Sequence, residues 1–452
     1  MDEETIERIL DRVRKSLEKR ASGERIRTVD EIEAAALSLR DNVGEAIAEE
    51  LASEALSSEQ KSESKNNTEC RCGRTARFKG VRSHTVVTMA GIIRFARRYF
   101  YCRRCDSGFC PVDRSLRIER SAYTHRVQQQ TVRLCTLSPY NVAVDLFKDL
   151  CGVVVSISHA QRMVDRAEKI AALVMTDRLE AASEADRVRL AIWSGEIPAP
   201  PRPAGAECLY IEMDGVQTPL VRGWNEMKVG VCFSVSSKGI HGRKAYISHL
   251  GNTHDFAPHL YAMAIKEGLD SAKATVVLGD GASWIWNLAA DQFPKAIQIL
   301  DLWHVLDRLG KVARSAFGEE NTALVKKWLH ERKTELLESR SGDVKTALQS
   351  LARKYPACAE LVQADIGYHR NNASRMDYAS YLKQGLHIGS GVAESACKRV
   401  VTQRLKGAGM RWSSAAADAM AKLRCFVLSQ QWGELTRYFF ESHPANSTLN
   451  SR

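Results

Sequence analysis

The chain has 452 residues, 26% charged and 44% hydrophobic, with a net charge of +11, which is length enough for two to four domains with cores of their own. No apolar run approaches membrane-spanning length, and the opening MDEETIERILDRV is acidic and amphipathic, unlike a signal or transit peptide, so a cytoplasmic protein is expected. Twelve cysteines are too sparse for a disulfide scaffold and are expected as thiols or metal ligands.

The charge is unevenly placed. Residues 1–66 carry 11 Lys/Arg against 17 Asp/Glu, a balance of −6, and residues 67–126 carry 14 against 4, a balance of +10. The first stretch reads as a helical acidic region ending in a polar linker, Ser57 to Asn67. The second is laced with Phe78, Phe95, Tyr99, Phe100 and Tyr101, and a basic surface interleaved with aromatics is the electrostatic footprint of nucleic-acid binding. Within it, Cys70-Arg71-Cys72 and Cys102-Arg103-Arg104-Cys105 are two close cysteine pairs. Four thiolates on two turns can close a tetrahedral shell round zinc, with strands at Thr85–Met89 and Ile92–Tyr101 forming the hairpin that joins them. The first pair has a one-residue spacer, shorter than usual, which leaves Cys110 as a substitute ligand.

Residues 127–195 are expected as a further DNA-binding region, and from Ser138 the chain turns to helical period. Helices over Pro139–Leu150 and Ser158–Ile170 are joined by CGVVVS, where Gly152 suits a tight turn and Ser156 or Ser158 an N-cap. This has the form of a helix-turn-helix, whose reading face would carry His159, Gln161, Arg162 and Arg166; a plain helical hairpin fits the same pattern. The run IPAPPRPAG marks a linker at 196–206.

The expected order then becomes strand (Cys208–Met213), strand (Met227–Ser234), strand (Arg243–Leu250), helix (Asp255–Glu267), strand (Thr275–Leu278), helix (Ser283–Asp291), strand (Ala296–Leu300) and helix. YIEMDG and VVLGDG are both apolar runs closing on an acid before glycine, which places Asp214 and Asp280 at neighbouring strand ends if they share a sheet. Paired carboxylates repel unless a proton or cation intervenes, so the pair suits hard divalent ions. Three meandering strands followed by alternating β and α units are the order of a ribonuclease H-like fold. The core is therefore expected at 207–305 and 385–430, with a helical insertion at 306–384 and a C-terminal tail at 431–452. A third acid is sought downstream. Asp301, with His304 three residues on, competes with Glu394, which opens a helix after Gly389-Ser390-Gly391 and precedes the basic Lys398, Arg399, Arg404 and Lys406. Cys208, Cys232, Cys358, Cys397 and Cys425 have no evident His partner and read as core residues.

These motifs, MDG at 213–215, GDGASWIW at 279–286, ILDLWH at 299–304 and GSGVAESACKRVVTQRLKGAGMRW at 389–412, resemble those of the DDE-type insertion-sequence transposases of the Kra and Lre kinds. The resemblance spans nearly the whole chain. It implies Mg²⁺-dependent DNA cleavage and strand transfer by an acidic triad, Asp214, Asp280 and Glu394, holding two Mg²⁺ ions, with Asp301 and His304 nearby, and the structural zinc expected from the cysteine pairs belongs to its cysteine-bearing N-terminal module. It also implies terminal inverted repeats and target DNA as partners, a homo-oligomer on DNA, no membrane, and a bacterial, nucleoid-associated location. Two other functions suit the same residues: a DNA-binding regulator with an inactive core, and a nuclease or resolvase without strand transfer.

Overall fold

A computed structural model describes residues 3–21, 28–62, 66–118, 121–196, 208–236, 238–239 and 241–440. The chain is mixed α/β, with two sheets among the described residues, and it divides into two compact units, residues 1–166 with 436–452, and residues 167–435. The proline-rich run expected as a linker lies almost wholly outside the described residues, as does the end of the tail from 441. No helix among the described residues is long and apolar enough to cross a membrane.

The first unit opens with helices α1 (Glu3–Ala21) and α2 (Val29–Ser62), held together by ion pairs such as Arg8–Glu50 at 2.9 Å and Arg12–Glu49 at 2.6 Å. α2 continues to Ser62, so most of the stretch expected as a linker is helix. Its last turns still find apolar support, because Leu56 packs with Val86, Phe95, Cys110 and Val112. Strands β1 (Asn67–Glu69), β2 (Thr75–Thr88), β3 (Gly91–Cys102) and β4 (Ser107–Phe109) form an antiparallel sheet in sequence order. The β2–β3 turn is tied by Thr88, whose Oγ1 accepts from Ala90 N at 3.0 Å and donates to Gly91 O at 2.9 Å. Short α3 (Val112–Ser115) follows, then α4 (His125–Leu137), α5 (Tyr140–Cys151) and α6 (Ile157–Ser194). Gly152, at φ 68°, closes α5 in the left-handed conformation that glycine adopts without strain. Ser156 caps α6, its Oγ accepting from His159 N at 3.3 Å. The expected helix at 158–170 and the helical stretch after it are one continuous helix.

The second unit is built on strands β5 (Cys208–Pro219), β6 (Trp224–Val235), β7 (His241–Leu250), β8 (Ala274–Gly279) and β9 (Ile297–Leu300), in the order β7-β6-β5-β8-β9. β5, β6 and β7 are an antiparallel meander, whereas β8 runs parallel to β5 and β9 parallel to β8. Helices α7 (Thr253–Lys266) and α8 (Ser283–Gln292) make the crossovers. β5 is the centre, and Leu209 to Met213 are all buried to 1% exposure or less. Helices α9 (Leu302–Phe317), α10 (Thr322–Leu337), α11 (Ser341–Lys354), α12 (Ala359–Asn372) and α13 (Tyr378–Lys383) follow the last strand. The chain then returns to the sheet as α14 (Gly391–Cys397), a π-helical turn at Lys398–Thr402, α15 (Gln403–Leu405), α16 (Ser414–Leu428) and α17 (Trp432–Phe440). α16 lies along the edge strand β7 and occupies donors that an edge leaves open: Leu250 N donates to Asp418 Oδ1 at 2.9 Å, and Tyr246 N to Ser429 Oγ at 2.8 Å.

Candidate active site

Asp214 does not end its strand, as its Asp-Gly context led us to expect. It pairs with Val229, and the β5–β6 ladder continues to Pro219–Trp224, because the two strands form a long hairpin whose residues keep pairing past the acid. The strand end is on the other side. β8 stops at Gly279, and since Glu212 is in register with Leu278, two more residues along each strand bring Asp214 level with Asp280. Neighbouring strands are roughly 4.8 Å apart, so the two acids share one neighbourhood.

Local chemistry fixes each carboxylate. Asp280 Oδ1 accepts from Ala282 N at 2.9 Å, the turn that aspartate favours before a glycine in the left-handed region, here Gly281 at φ 96°. A Cβ on Gly281 would come within 2.4 Å of the Tyr368 hydroxyl, which donates to the Asp280 carbonyl at 2.7 Å. Asp214 accepts from Gly215 N at 2.7 Å and from the Cys397 thiol. Burial raises its pKa, and the negative charge of Asp280 raises it further, against the opposing Gly215 N–H and Cys397 bonds. Burial and a neighbouring like charge both disfavour the ionised carboxylate, and a cation bound there would favour it.

Glu394 comes to this place on α14, which packs across β5 and β6. Ala393 N donates to Glu212 Oε2 at 2.8 Å and Cys397 bonds Asp214, so the helix follows the β5 face from one acid to the next. Glu394 precedes Cys397 by three residues and thus neighbours it on the helix surface. It is exposed, and its carboxylate has no hydrogen-bond partner among the described residues. Asp301 differs in every respect. It is 3% exposed, caps α9 through Trp303 N at 2.7 Å, and accepts from Ser390 N at 3.0 Å and from Ser390 Oγ. His304 is exposed on the first turn of α9, and its charge lowers the pKa of Asp214.

Of the basic residues after Glu394, Lys398 is exposed and Lys406 half-buried, and neither has an ion-pair partner among the described residues. Arg399 donates to the Tyr246 hydroxyl at 3.1 Å. Arg404 corrects the sequence reading: it is 2% exposed, with its guanidinium over the Trp412 ring at 5.1 Å, and cannot reach a phosphate. The π-helical turn at Lys398–Thr402 shifts the helical phase and turns position 404 into the core.

In the first unit, Cys70, Cys72, Cys102 and Cys105 bring their sulfurs within 4.8 Å of one another, and could bind a metal such as zinc. The separations Cys70–Cys105 and Cys72–Cys102 are both 3.8 Å, which is about the edge of a tetrahedron with Zn–S bonds of about 2.3 Å. The backbone N–H of Cys105 points at Cys102 and draws its thiol down to about 7. Cys110 is outside this group, buried with Leu56, Val86 and Phe95, so the short first spacer needs no substitute. Among the described residues, Asp214, Asp280 and Glu394 do not form so tight a group. On α6, Gln161 and Arg162 are exposed, and Arg166 reaches Gln128 Oε1 at 3.5 Å.

Two participants escaped the sequence reading. Glu212 is 1% exposed, and burial, with the nearby charge of Asp301, pushes it up to about 8 against the Ala393 N–H. Its signal was available: Tyr210, Glu212 and Asp214 alternate onto one face, and a carboxylate two residues from another in an apolar strand is out of place. Tyr368 had no such signal, since nothing local in the α12 sequence tells that it reaches Asp280. No protein-family model matches the chain, and no curated protein matches it.

Proposed function

We propose that the chain is a DDE-type DNA transposase of the Kra and Lre kinds, with a ribonuclease H-like core, catalysing Mg²⁺-dependent strand cleavage and strand transfer as a homo-oligomer on DNA. One observation carries the reading: Asp280, just past the end of β8, is level with Asp214 on the adjacent parallel β5, and Cys397 ties to Asp214 the helix that bears Glu394. The strand order β7-β6-β5-β8-β9, a three-stranded meander flanked by two parallel strands, supports the fold assignment. The donor set fits hard cations, being all carboxylate.

Asp214, Asp280 and Glu394 would hold two Mg²⁺ ions, which when bound activate water or a DNA 3′-hydroxyl and stabilise the leaving oxygen of an in-line displacement at phosphorus. The chain's own residues do the rest. Lys398 and Lys406 attract the phosphates flanking the scissile bond. Asp301 and Glu212 hold the turn at 390–393, so that Glu394 is presented from a fixed backbone. In the first unit, the thiol cluster would take structural zinc, and Gln161 and Arg162 would face bases as the exposed positions of a recognition helix.

The test is a purified full-length chain acting on duplex DNA that carries the sequences flanking its gene. Mg²⁺-dependent nicking and joining of the cut end to a second duplex are expected. Joining separates a transposase from a nuclease. Asp214→Asn and Asp280→Asn are expected to lose both steps and keep DNA binding, since each removes metal charge rather than a phosphate contact. Wild-type cleavage by either variant would overturn the assignment.

A further inference from the structure

The β5–β6 hairpin extends well past the acids. From Asp214–Val229 the ladder runs through five more pairs to Pro219–Trp224, and at about 3.3 Å per residue the tip stands roughly 16 Å beyond the acid pair. Past Met227, where it meets the last residue of β7, the extension is a two-stranded ribbon. A free ribbon is marginal in water. This one is braced: Val221 N donates to Trp412 O at 2.8 Å, Trp412 N to Pro219 O at 3.3 Å, and Trp412 Nε1 to Leu405 O at 3.1 Å. The brace is the chain leaving the helical segment that bears Lys398 and Lys406. The hairpin tip and the basic residues are therefore one rigid construction.

What the tip presents is an aromatic face with unpaired positive charge. Trp224 is 59% exposed, and the Arg411 guanidinium lies 5.9 Å from its ring centroid. Arg222 is exposed beside it in the turn, and neither guanidinium has an ion-pair partner among the described residues. An indole with one guanidinium beside its ring and a second arginine two residues away in the turn matches a nucleotide, with the ring for a base and the cations for phosphates. Within a duplex, base faces are covered by their neighbours. Only an unpaired or splayed base can stack on the tip.

We propose that Trp224 and Arg411 form a stacking platform for an unpaired nucleotide of the DNA strand led away from the acids. This rests on the reading of the acids as a DNA-cleaving site. At about 3.4 Å per nucleotide along one strand, the platform lies roughly five nucleotides from the scissile phosphate. Capture there holds the end frayed after cutting and keeps it from re-pairing.

The test compares two probes bound to the full-length chain without added Mg²⁺: a blunt duplex, and the same duplex with a single-stranded overhang containing 2-aminopurine. Wild type should bind the overhang probe more tightly and quench the 2-aminopurine. Trp224→Ala should weaken overhang binding about 10-fold, within the range for loss of one base–aromatic stack, abolish the quenching, and leave blunt-duplex affinity unchanged. Trp224→Phe should retain most of both signals. Arg411→Ala should lower the salt dependence of overhang binding by about one phosphate contact. Equal weakening of both probes by Trp224→Ala, or no weakening of either, would overturn the platform while leaving the acid site standing. Failure of wild type to bind either probe would remove the platform and the proposed function together.

Discussion

Asp301 and Glu394 were rivals in the sequence, and their surroundings separate them. Asp301 has its oxygens committed to Trp303 N and to Ser390 N and Oγ inside the protein, whereas Glu394 is exposed and uncommitted. Glu394→Gln is accordingly expected to abolish Mg²⁺-dependent cleavage at unchanged thermal stability. Asp301→Asn should keep measurable cleavage but lose about 1–3 kcal/mol of stability, because a carboxylate that accepts from buried donors is replaced by an amide that must present a donor of its own. A dead Asp301→Asn beside an active Glu394→Gln would reverse the roles. His259 gives a prediction of another kind. Burial, then the charges of Lys422 and His249, lower its pKa from the ordinary 6.5 in the folded protein. The native state thus binds fewer protons there than the unfolded chain, so its contribution is complete above the unfolded pKa and falls as pH drops below it. His259→Gln should flatten the acid side of the melting-temperature profile, and an unchanged slope would count against this. At this scale the sequence disclosed what each acid is but not how it is used. Arg404 read as a phosphate contact because one π-helical turn, invisible in a residue pattern, decides which way it points.

The cysteine hairpin and the turn before α14 carry the element-scale predictions. With two sulfur pairs at 3.8 Å and all four sulfurs within 4.8 Å of one another, the purified protein should contain about one zinc per chain. Cys102→Ser and Cys72→Ser should lose it, and Cys110→Ser should keep it, since Cys110 is a core residue. Elemental analysis with no zinc in the wild type, or loss of zinc in Cys110→Ser, would contradict the ligand set. Gly389 is demanded by close packing rather than by its backbone angles: a Cβ there would meet the Trp303 ring at 2.8 Å. Gly389→Ala should therefore cost about 1–3 kcal/mol by overpacking and displace Glu394, lowering cleavage more than DNA binding. Cleavage and stability at wild-type levels would mean that the turn yields easily. The strands of the cysteine hairpin were legible as β-rich runs, and those leading to Asp214 and Asp280 as apolar runs closing on an acid before glycine. Their lengths were not. β5 continues from Gly215 to Pro219 because β6 pairs with it, and a cross-strand partner leaves no trace in local sequence.

Across the second unit, strand order does the work that no single motif could. The meander β5–β6–β7 and the parallel β8 and β9 put two acids 66 positions apart in sequence at one level of the sheet, and α14 brings back a third after five intervening helices. The order of strands and helices was readable from period and turn chemistry. The docking of the intervening helices was not, although α12 reaches Asp280 through Tyr368 and steadies the strand end from outside the sheet. The central claim is that Asp214, Asp280 and Glu394 jointly hold divalent cations, and iron-directed cleavage of the protein tests it without depending on a DNA substrate. Fe²⁺ loaded in place of Mg²⁺ and treated with ascorbate and peroxide should cut the backbone close to residues 214, 280 and 394, with the cuts suppressed by excess Mg²⁺ and absent in Asp214→Asn. Cuts clustered at 301 instead of 394, or none near 214 and 280, would contradict it.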